Sequence, residues 1–312
     1  MSINIITPGL MSIIVDMGRV GYQSIGYCQS GPMDDDAFFW ANYLVENNAA
    51  TPCIEVLGEM TVVAKSNVCA AITGKQVQAK INGNACSVFE TLTLKEGDTL
   101  TFGCQTLGCR AYLSLAGDWN VPLSMNSACC VVREKIGGLY GNGKPLSAGD
   151  SLLVKNHRIV RNVRCLEEAN RPDYTLDKPI SVVSGYQLNN FPCASQRIFT
   201  TSNYTVTQDI SRMGYRLSGA PVKHNISSMR SEAIHLGAVQ IPPNGQPIIM
   251  MRDRQTLGGY PKLGCVSPID INRLAQASPG DTITFTFNDK ENERAKFLLR
   301  QHKRRKLTGD KV

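Results

Sequence analysis

Apolar residues along most of this chain fall into short alternating runs, divided by glycine, asparagine and aspartate. Residues 60–65, 68–73 and 76–81 are rich in β-branched side chains, and each run is the length of one strand. Asn82-Gly83 follows the third, a pair suited to a two-residue hairpin because both central positions take positive φ. One punctuation recurs three times: Glu96-Gly97-Asp98-Thr99-Leu100, Ala148-Gly149-Asp150-Ser151-Leu152 and Pro279-Gly280-Asp281-Thr282-Ile283. In each, Gly-Asp reads as a turn that delivers a strand. A βαβ fold would alternate strands with long helical patterns, so this spacing predicts a mainly β protein with barrel or sandwich architecture.

Helical spacing is rare. Asp34-Asp35-Asp36 puts acid where a helix N-terminus favours it, and Ala37, Trp40, Ala41 and Leu44 share one face, which predicts a helix near 34–46. A second is predicted over 271–277, stopped by Ser278-Pro279-Gly280. A helix-like stretch at 291–300 runs into the basic cluster His302-Lys303-Arg304-Arg305-Lys306. Residues 156–178 are charged, weakly periodic and carry Pro172. The expected organisation is an N-terminal β domain over 1–160, a linker over 161–178, a second β domain over 179–289 and a basic helical tail over 290–312. Asp16-x-x-Arg19-x-Gly21-Tyr22 recurs as Asp209-x-x-Arg212-x-Gly214-Tyr215, a hint of duplication.

Composition narrows the class. Hydrophobic residues at 42% and charged residues at 19% fit a globular protein. No apolar run reaches the roughly 18 residues that cross a bilayer. The first fifteen residues lack a basic start and hold Pro8-Gly9, so no secretion signal is read and a cytoplasmic location is expected. The eleven cysteines contain no CxxC pair, which argues against a disulfide framework and a zinc knuckle. Of the net charge of +7, residues 290–312 hold nine Lys or Arg against three Asp or Glu. The basicity therefore belongs to the tail, most simply a solvated one, and no nucleic-acid partner is expected.

Candidate chemistry is concentrated. Residues 138–144 fit G-x-x-x-x-G-K, but Pro145 stands where a phosphate loop needs a hydroxyl and a helix start, so this reads as a glycine-rich connection. His157, His224, His235 and His302 are scattered, and no metal is expected. An apolar run ending at Met251 delivers Arg252-Asp253-Arg254-Gln255-Thr256, then Leu257-Gly258-Gly259-Tyr260-Pro261-Lys262. Arg254 and Lys262 suit a carboxylate or phosphate, with the lysine read as an exposed cation. Gln255 suits an amide, and the paired glycines let backbone N–H groups approach a ligand. A structural turn with an internal Asp–Arg pair accounts for the same residues. Ser30-Gly31-Pro32-Met33-Asp34 is an anion seat or an ordinary helix cap. Asp209, Arg212 and Arg216 form a site or an ion pair fixing a turn.

Four motifs, in order, carry a resemblance: Pro8-Gly9-Leu10 through Asp16-x-Gly18-Arg19-x-Gly21-Tyr22-Gln23; Ser30-Gly31-x-Met33-Asp34; Ser211-Arg212-Met213-Gly214-Tyr215-Arg216-Leu217; and Asp253-Arg254-Gln255-Thr256-x-Gly258-Gly259-Tyr260-Pro261-Lys262. Over roughly residues 6–287 they resemble the biotin-dependent carboxyltransferase-like family, also called allophanate hydrolase subunit 2-like or KipA-like. The resemblance implies two cyclophilin-like β-barrel domains with a few short helices. Stand-alone members are similar to the C subunit of ATP-dependent 5-oxoprolinase, which opens the lactam of 5-oxo-L-proline to L-glutamate. They act with two further chains, a B subunit of the KipI type and an A subunit of the LamB/YcsF type. Related domains inside urea carboxylase transfer carboxyl from biotin to urea, and KipA-type members regulate by binding. On this reading ATP is used by the complex, through a site shared with or on a partner. The chain lacks a biotin-accepting Met-Lys-Met segment, so no biotin site is expected on it. Asp253, Asp209 and Lys262 are the implied catalytic residues. Arg254, Gln255, Thr256, Gly258, Gly259, Tyr260, Arg212, Arg216, Ser30 and Asp34 are the implied substrate contacts. The family usually has apolar residues near His235 and Arg252.

Overall fold

The computed structural model describes residues 2–309 except 159 and 161. The chain is mainly β, with four α-helices among the described residues, and divides into two compact units.

The first unit comprises Met1–Val20 and Ser30–Asp173. Its seven-stranded antiparallel sheet runs Asp118–Trp119, Ser151–Lys155, Ser2–Thr7, Glu59–Ala64, Thr99–Cys104, Val77–Ile81, Asn84–Cys86. A five-stranded antiparallel sheet runs Met11–Val15, Cys53–Leu57, Arg110–Leu115, Val68–Gly74, Thr91–Leu94. Alternate residues of both, among them Ile5, Val62, Phe102, Ile54, Ile72 and Leu113, form one core. Helix α1, Asp35–Leu44, packs Ala37, Phe38 and Ala41 with Ile13, Cys53 and Tyr112 of the smaller sheet. That second cover explains why Val68–Gly74 is buried at every position, with Thr73 its one polar side chain, donating to Ala37 O of α1 at 2.7 Å. Asp34 caps α1, its Oδ1 accepting from the N–H groups of Asp36 and Ala37 at 3.1 Å each.

Local turn chemistry behaves as the sequence predicts. Asn82 and Gly83 take φ of 50° and 83° and close the hairpin between Val77–Ile81 and Asn84–Cys86. The three Gly-Asp turns share one geometry: each aspartate carboxylate accepts the N–H three residues back, from Lys95, Ser147 and Ser278, at 2.7 to 2.8 Å. Residues 164–171 of the expected linker pack within this unit. Arg164 lies over the Tyr43 ring, the Leu166 N–H donates to Phe89 O at 2.8 Å, and Arg171 lies over Phe89.

The second unit comprises Gly21–Gln29 and Tyr174–Val312. Its eight-stranded sheet runs Thr282–Ile283, Tyr204–Ile210, Gly214–Gly219, Ile248–Met250, Ala238–Gln240, Lys262–Val266, Ile180–Ser184, Phe285–Asn288. The two edge strands are neighbours in sequence, parted only by Thr284, whose carbonyl accepts from Ile180 N–H at 2.8 Å. The sheet therefore curls until its edges nearly meet, the geometry of an almost closed barrel. Stacked Phe199 and Phe285, with ring centroids 4.4 Å apart, fill it beside Tyr204.

Three helices complete this unit. Helix α2, Cys193–Thr201, escapes the sequence reading because Pro192 gives its N-cap no side-chain acceptor and only Ser195 and Phe199 are buried. Helix α3, Pro268–Ala275, starts three residues ahead of the expected 271, with Pro268 at its first turn. Helix α4, Lys290–Thr308, differs from the solvated tail read from charge alone. It runs to Thr308 and buries Glu293, Arg304 and Thr308 on one face. Its exposed face keeps Leu298, Leu299 and most of the basic residues.

Candidate functional site

The pairing of Tyr204–Ile210 with Gly214–Gly219 shifts register between Val206 and Ile210. A bulge there turns side chains out of the ladder. Strand alternation sends Tyr215 and Leu217 into the core and leaves Arg216 outside. Asp209, Ser211 and Arg216 thereby reach a cavity of about 640 Å³, completed by Gln240, Gln255 and Tyr260 over an apolar floor of Ile248 and Met250. Asp209 and Arg216 are exposed, and Gln255 is half-buried. The cavity thus offers one carboxylate, one guanidinium and three side-chain amides, those of Gln208, Gln240 and Gln255, which suits a small ligand carrying both an anion and an amide. Gln240, absent from the sequence-based candidates, is 1% exposed, and its Nε2 has no hydrogen-bond partner among the described residues. Its only sequence signal was its place at the start of the dense polar region.

Arg212 and Asp253 do meet, as an ion pair. The Arg212 Nε and Nη2 donate to Asp253 Oδ2 and Oδ1 at 2.8 and 2.9 Å, and the Asp253 N–H donates to Arg212 O at 2.7 Å. Both groups are buried. The sequence allowed an Asp–Arg pair internal to the turn; the pair found here instead draws its arginine from 41 residues away. A carboxylate with both oxygens held by a guanidinium is poorly placed to accept a substrate proton, and its geometry serves to pin the turn beside the cavity.

Arg254 and Lys262 occupy different surroundings from those read off the sequence. Arg254 is 5% exposed and donates from Nε to Ile234 O at 3.0 Å and from Nη1 to Met251 O at 3.3 Å. Burial first, then neighbouring Arg252, lowers its pKa to about 10. Lys262 is buried rather than an exposed cation. The turn through Pro261 leads it into the strand Lys262–Val266, where its N–H donates to Gln187 Oε1 at 2.7 Å. Its Nζ lies 2.9 Å from Glu232 Oε2 and donates to Ala233 O at 3.1 Å. The same Glu232 oxygen accepts from Tyr186 Oη and, at 3.0 Å, from Gln187 Nε2. The Tyr186 hydroxyl, and then Lys262, hold the Glu232 carboxyl below its usual range, while that shared proton raises Tyr186. Nothing in the sequence linked Tyr186, Gln187 and Glu232 to Lys262.

The remaining candidates separate. Gly258 pairs with Glu232 in a two-stranded ribbon, Gly259 is exposed, and Thr256 faces a smaller cavity of about 290 Å³ with Gln23 and His235. Ser30 and Asp34 belong to the first unit. There Asp34 caps α1 and its N–H donates to Tyr112 Oη at 2.8 Å, while Met33 N–H and Tyr112 Oη donate to buried Glu55, also at 2.8 Å. The helix-cap reading accounts for the Asp34 carboxylate. No group of three metal-ligating side chains converges among the described residues, and no helix among them is long and apolar enough to cross a membrane.

A nearly closed β-barrel with a mixed-polarity cavity beside a β-bulge is a different architecture from the alternating strands and helices of a nucleotide-binding α/β domain. The chain belongs to the carboxyltransferase domain, subdomain A and B, family, whose sequence pattern matches residues 25–287. It is 34% identical to the C subunit of 5-oxoprolinase from Escherichia coli over 289 residues, covering 91% of this chain and 90% of that one. Among solved structures, that of TTHA0988 is 32% identical with a TM-score of 0.82, and the match spans 91% of this chain and about half, 55%, of that chain. The Kluyveromyces lactis urea carboxylase is 27% identical with a TM-score of 0.87, over 99% of this chain and 29% of that one.

Proposed function

We propose that this chain is the C-type component of an ATP-dependent 5-oxoprolinase and that its large cavity holds 5-oxo-L-proline while the lactam is opened to L-glutamate. The observation that carries this reading is the near end-to-end match to the E. coli protein, 91% of one chain against 90% of the other. The cavity supplies matching chemistry. Arg216 neutralises the substrate carboxylate, Gln240 and Gln255 bind the amide, and Asp209 accepts a proton from attacking water; what supports these roles is that all four line the cavity and that Asp209 is exposed. An amide resists water because of its resonance. Phosphorylation of the lactam oxygen by ATP, with ADP leaving, removes that resonance, so water adds to the carbon, the ring C–N bond breaks and the resulting acyl phosphate is hydrolysed to glutamate and phosphate. Pro145 removes the phosphate cradle from residues 138–144, so ATP is assigned to a shared or partner site. The partners proposed are a KipI-like B subunit and a LamB/YcsF-like A subunit, all in the cytoplasm. The pinned Asp253 and the buried Lys262 become supports of the cavity rather than reacting groups.

A second reading, carboxyl transfer to urea or another amide, is favoured by the fit to the urea carboxylase structure; biotin would then arrive on another chain. One assay separates the two. Purified chain with 5-oxoproline and ATP is expected to release no glutamate, and to do so once both partner chains are added. Turnover by the isolated chain, or none by the three together, overturns the proposal.

A further inference from the structure

We infer that Gln240 is the specificity-determining residue of the large cavity, and that it reads the edge of an amide whose N–H and C=O point the same way. Native proteins bond nearly every buried side-chain amide. Gln240 is 1% exposed and lines the cavity, yet its Nε2 has no partner among the described residues. The strand Ala238–Gln240 holds it in place, since its backbone is paired on both sides, with Ile248 and with Lys262. Gly258 packs close to it, and only a residue without a side chain fits there: a Cβ would lie 3.2 Å from Gln240 Nε2 and 2.5 Å from Ile234 Cδ1. An amide held in a low-dielectric wall of the cavity, its nitrogen without a hydrogen-bond partner among the described residues, is a built half of a hydrogen-bond pair.

The chemistry of that half selects the ligand class. A glutamine amide presents a C=O acceptor and an N–H donor side by side on one edge. A lactam or a urea presents the same two groups side by side, so the two amides form a cyclic pair of hydrogen bonds. An ordinary trans peptide cannot, because its N–H and C=O point in opposite directions. Rotating the Gln240 amide by half a turn swaps donor and acceptor and makes the same pairing available to the ligand's other orientation. Arg216 then takes any carboxylate the ligand carries, which separates 5-oxoproline from a bare lactam. This inference rests on the proposal that the cavity is the amide site, but not on which amide fills it.

Calorimetric titration of the full chain tests it, with 5-oxo-L-proline, its N-methyl derivative, urea and L-proline as ligands. Wild type should bind 5-oxoproline or urea. Removing the ligand N–H, or making Gln240→Met, should weaken binding about tenfold or more, the worth of one to two hydrogen bonds. The N-methyl comparison uses wild-type protein, so it holds even if the variant folds poorly. Equal affinity for 5-oxoproline and its N-methyl derivative, unchanged binding by a folded Gln240→Met, or no binding of either amide overturns the inference. Gln240-dependent binding of urea without 5-oxoproline would keep it and defeat the oxoprolinase reading. Binding of 5-oxoproline indifferent to Gln240 would do the reverse.

Discussion

Asp253→Asn separates a structural carboxylate from a catalytic one. In the wild type, both Asp253 oxygens face Arg212 at 2.8 and 2.9 Å, and the two side chains are only 10% and 6% exposed. Asparagine keeps the shape but removes the negative charge that faces the Arg212 guanidinium in a poorly solvated place. Breaking a buried pair from one side costs about 3–5 kcal/mol, against a total stability of about 5–15 kcal/mol for a typical domain. Replacing both partners by apolar residues removes both charges together, so Arg212→Met with Asp253→Leu should recover most of that loss. Denaturant unfolding of the three proteins gives the stabilities, and titration with 5-oxoproline on folded samples gives the binding. The expected pattern is a large loss in the single variant, recovery in the double, and ligand affinity that tracks folding. A single variant within about 0.5 kcal/mol of wild type, but inactive in the assembled complex, would refute the structural role and restore Asp253 as a reacting group.

Two further outcomes follow from the second unit. Because Tyr186 and Lys262 depress the Glu232 pKa in the folded state, its contribution is present above the unfolded glutamate value of about 4.3 and fades as pH falls through the lower folded value. Glu232→Gln should therefore melt below wild type at pH 6–8 and converge with it in acid; parallel melting curves across that range would rule the linkage out. Gly264→Ala should cost about 1–3 kcal/mol or more, since its Cβ would sit 2.3 Å from Val183 O and 2.7 Å from Val182 Cγ1 across the pairing with Ile180–Ser184. An unchanged melting midpoint in that variant would mean the two strands part more easily than their register shows.

The sequence alone determined what is local. Gly-Asp and Asn-Gly turns, the Asp34 cap and the short alternating runs each depend on a few adjacent residues, and together they specified a mainly β protein with few helices. The ordered motifs placed the family, because they preserve residue identity and spacing without requiring a fold. Tertiary structure decided the rest, because pairing across the sheet is not written in adjacency. Asp253 found its arginine 41 residues upstream rather than beside it, and Lys262 met Glu232 through a ribbon that charge patterning does not reveal. Helix α4 buries one face although its composition reads as solvated, since its neighbours and not its own residues supply the cover. Gln240 became the most informative residue of the cavity only when burial and the lack of a partner for its amide nitrogen could be seen together. Burial depends on everything that surrounds a side chain, and a linear sequence does not state its surroundings.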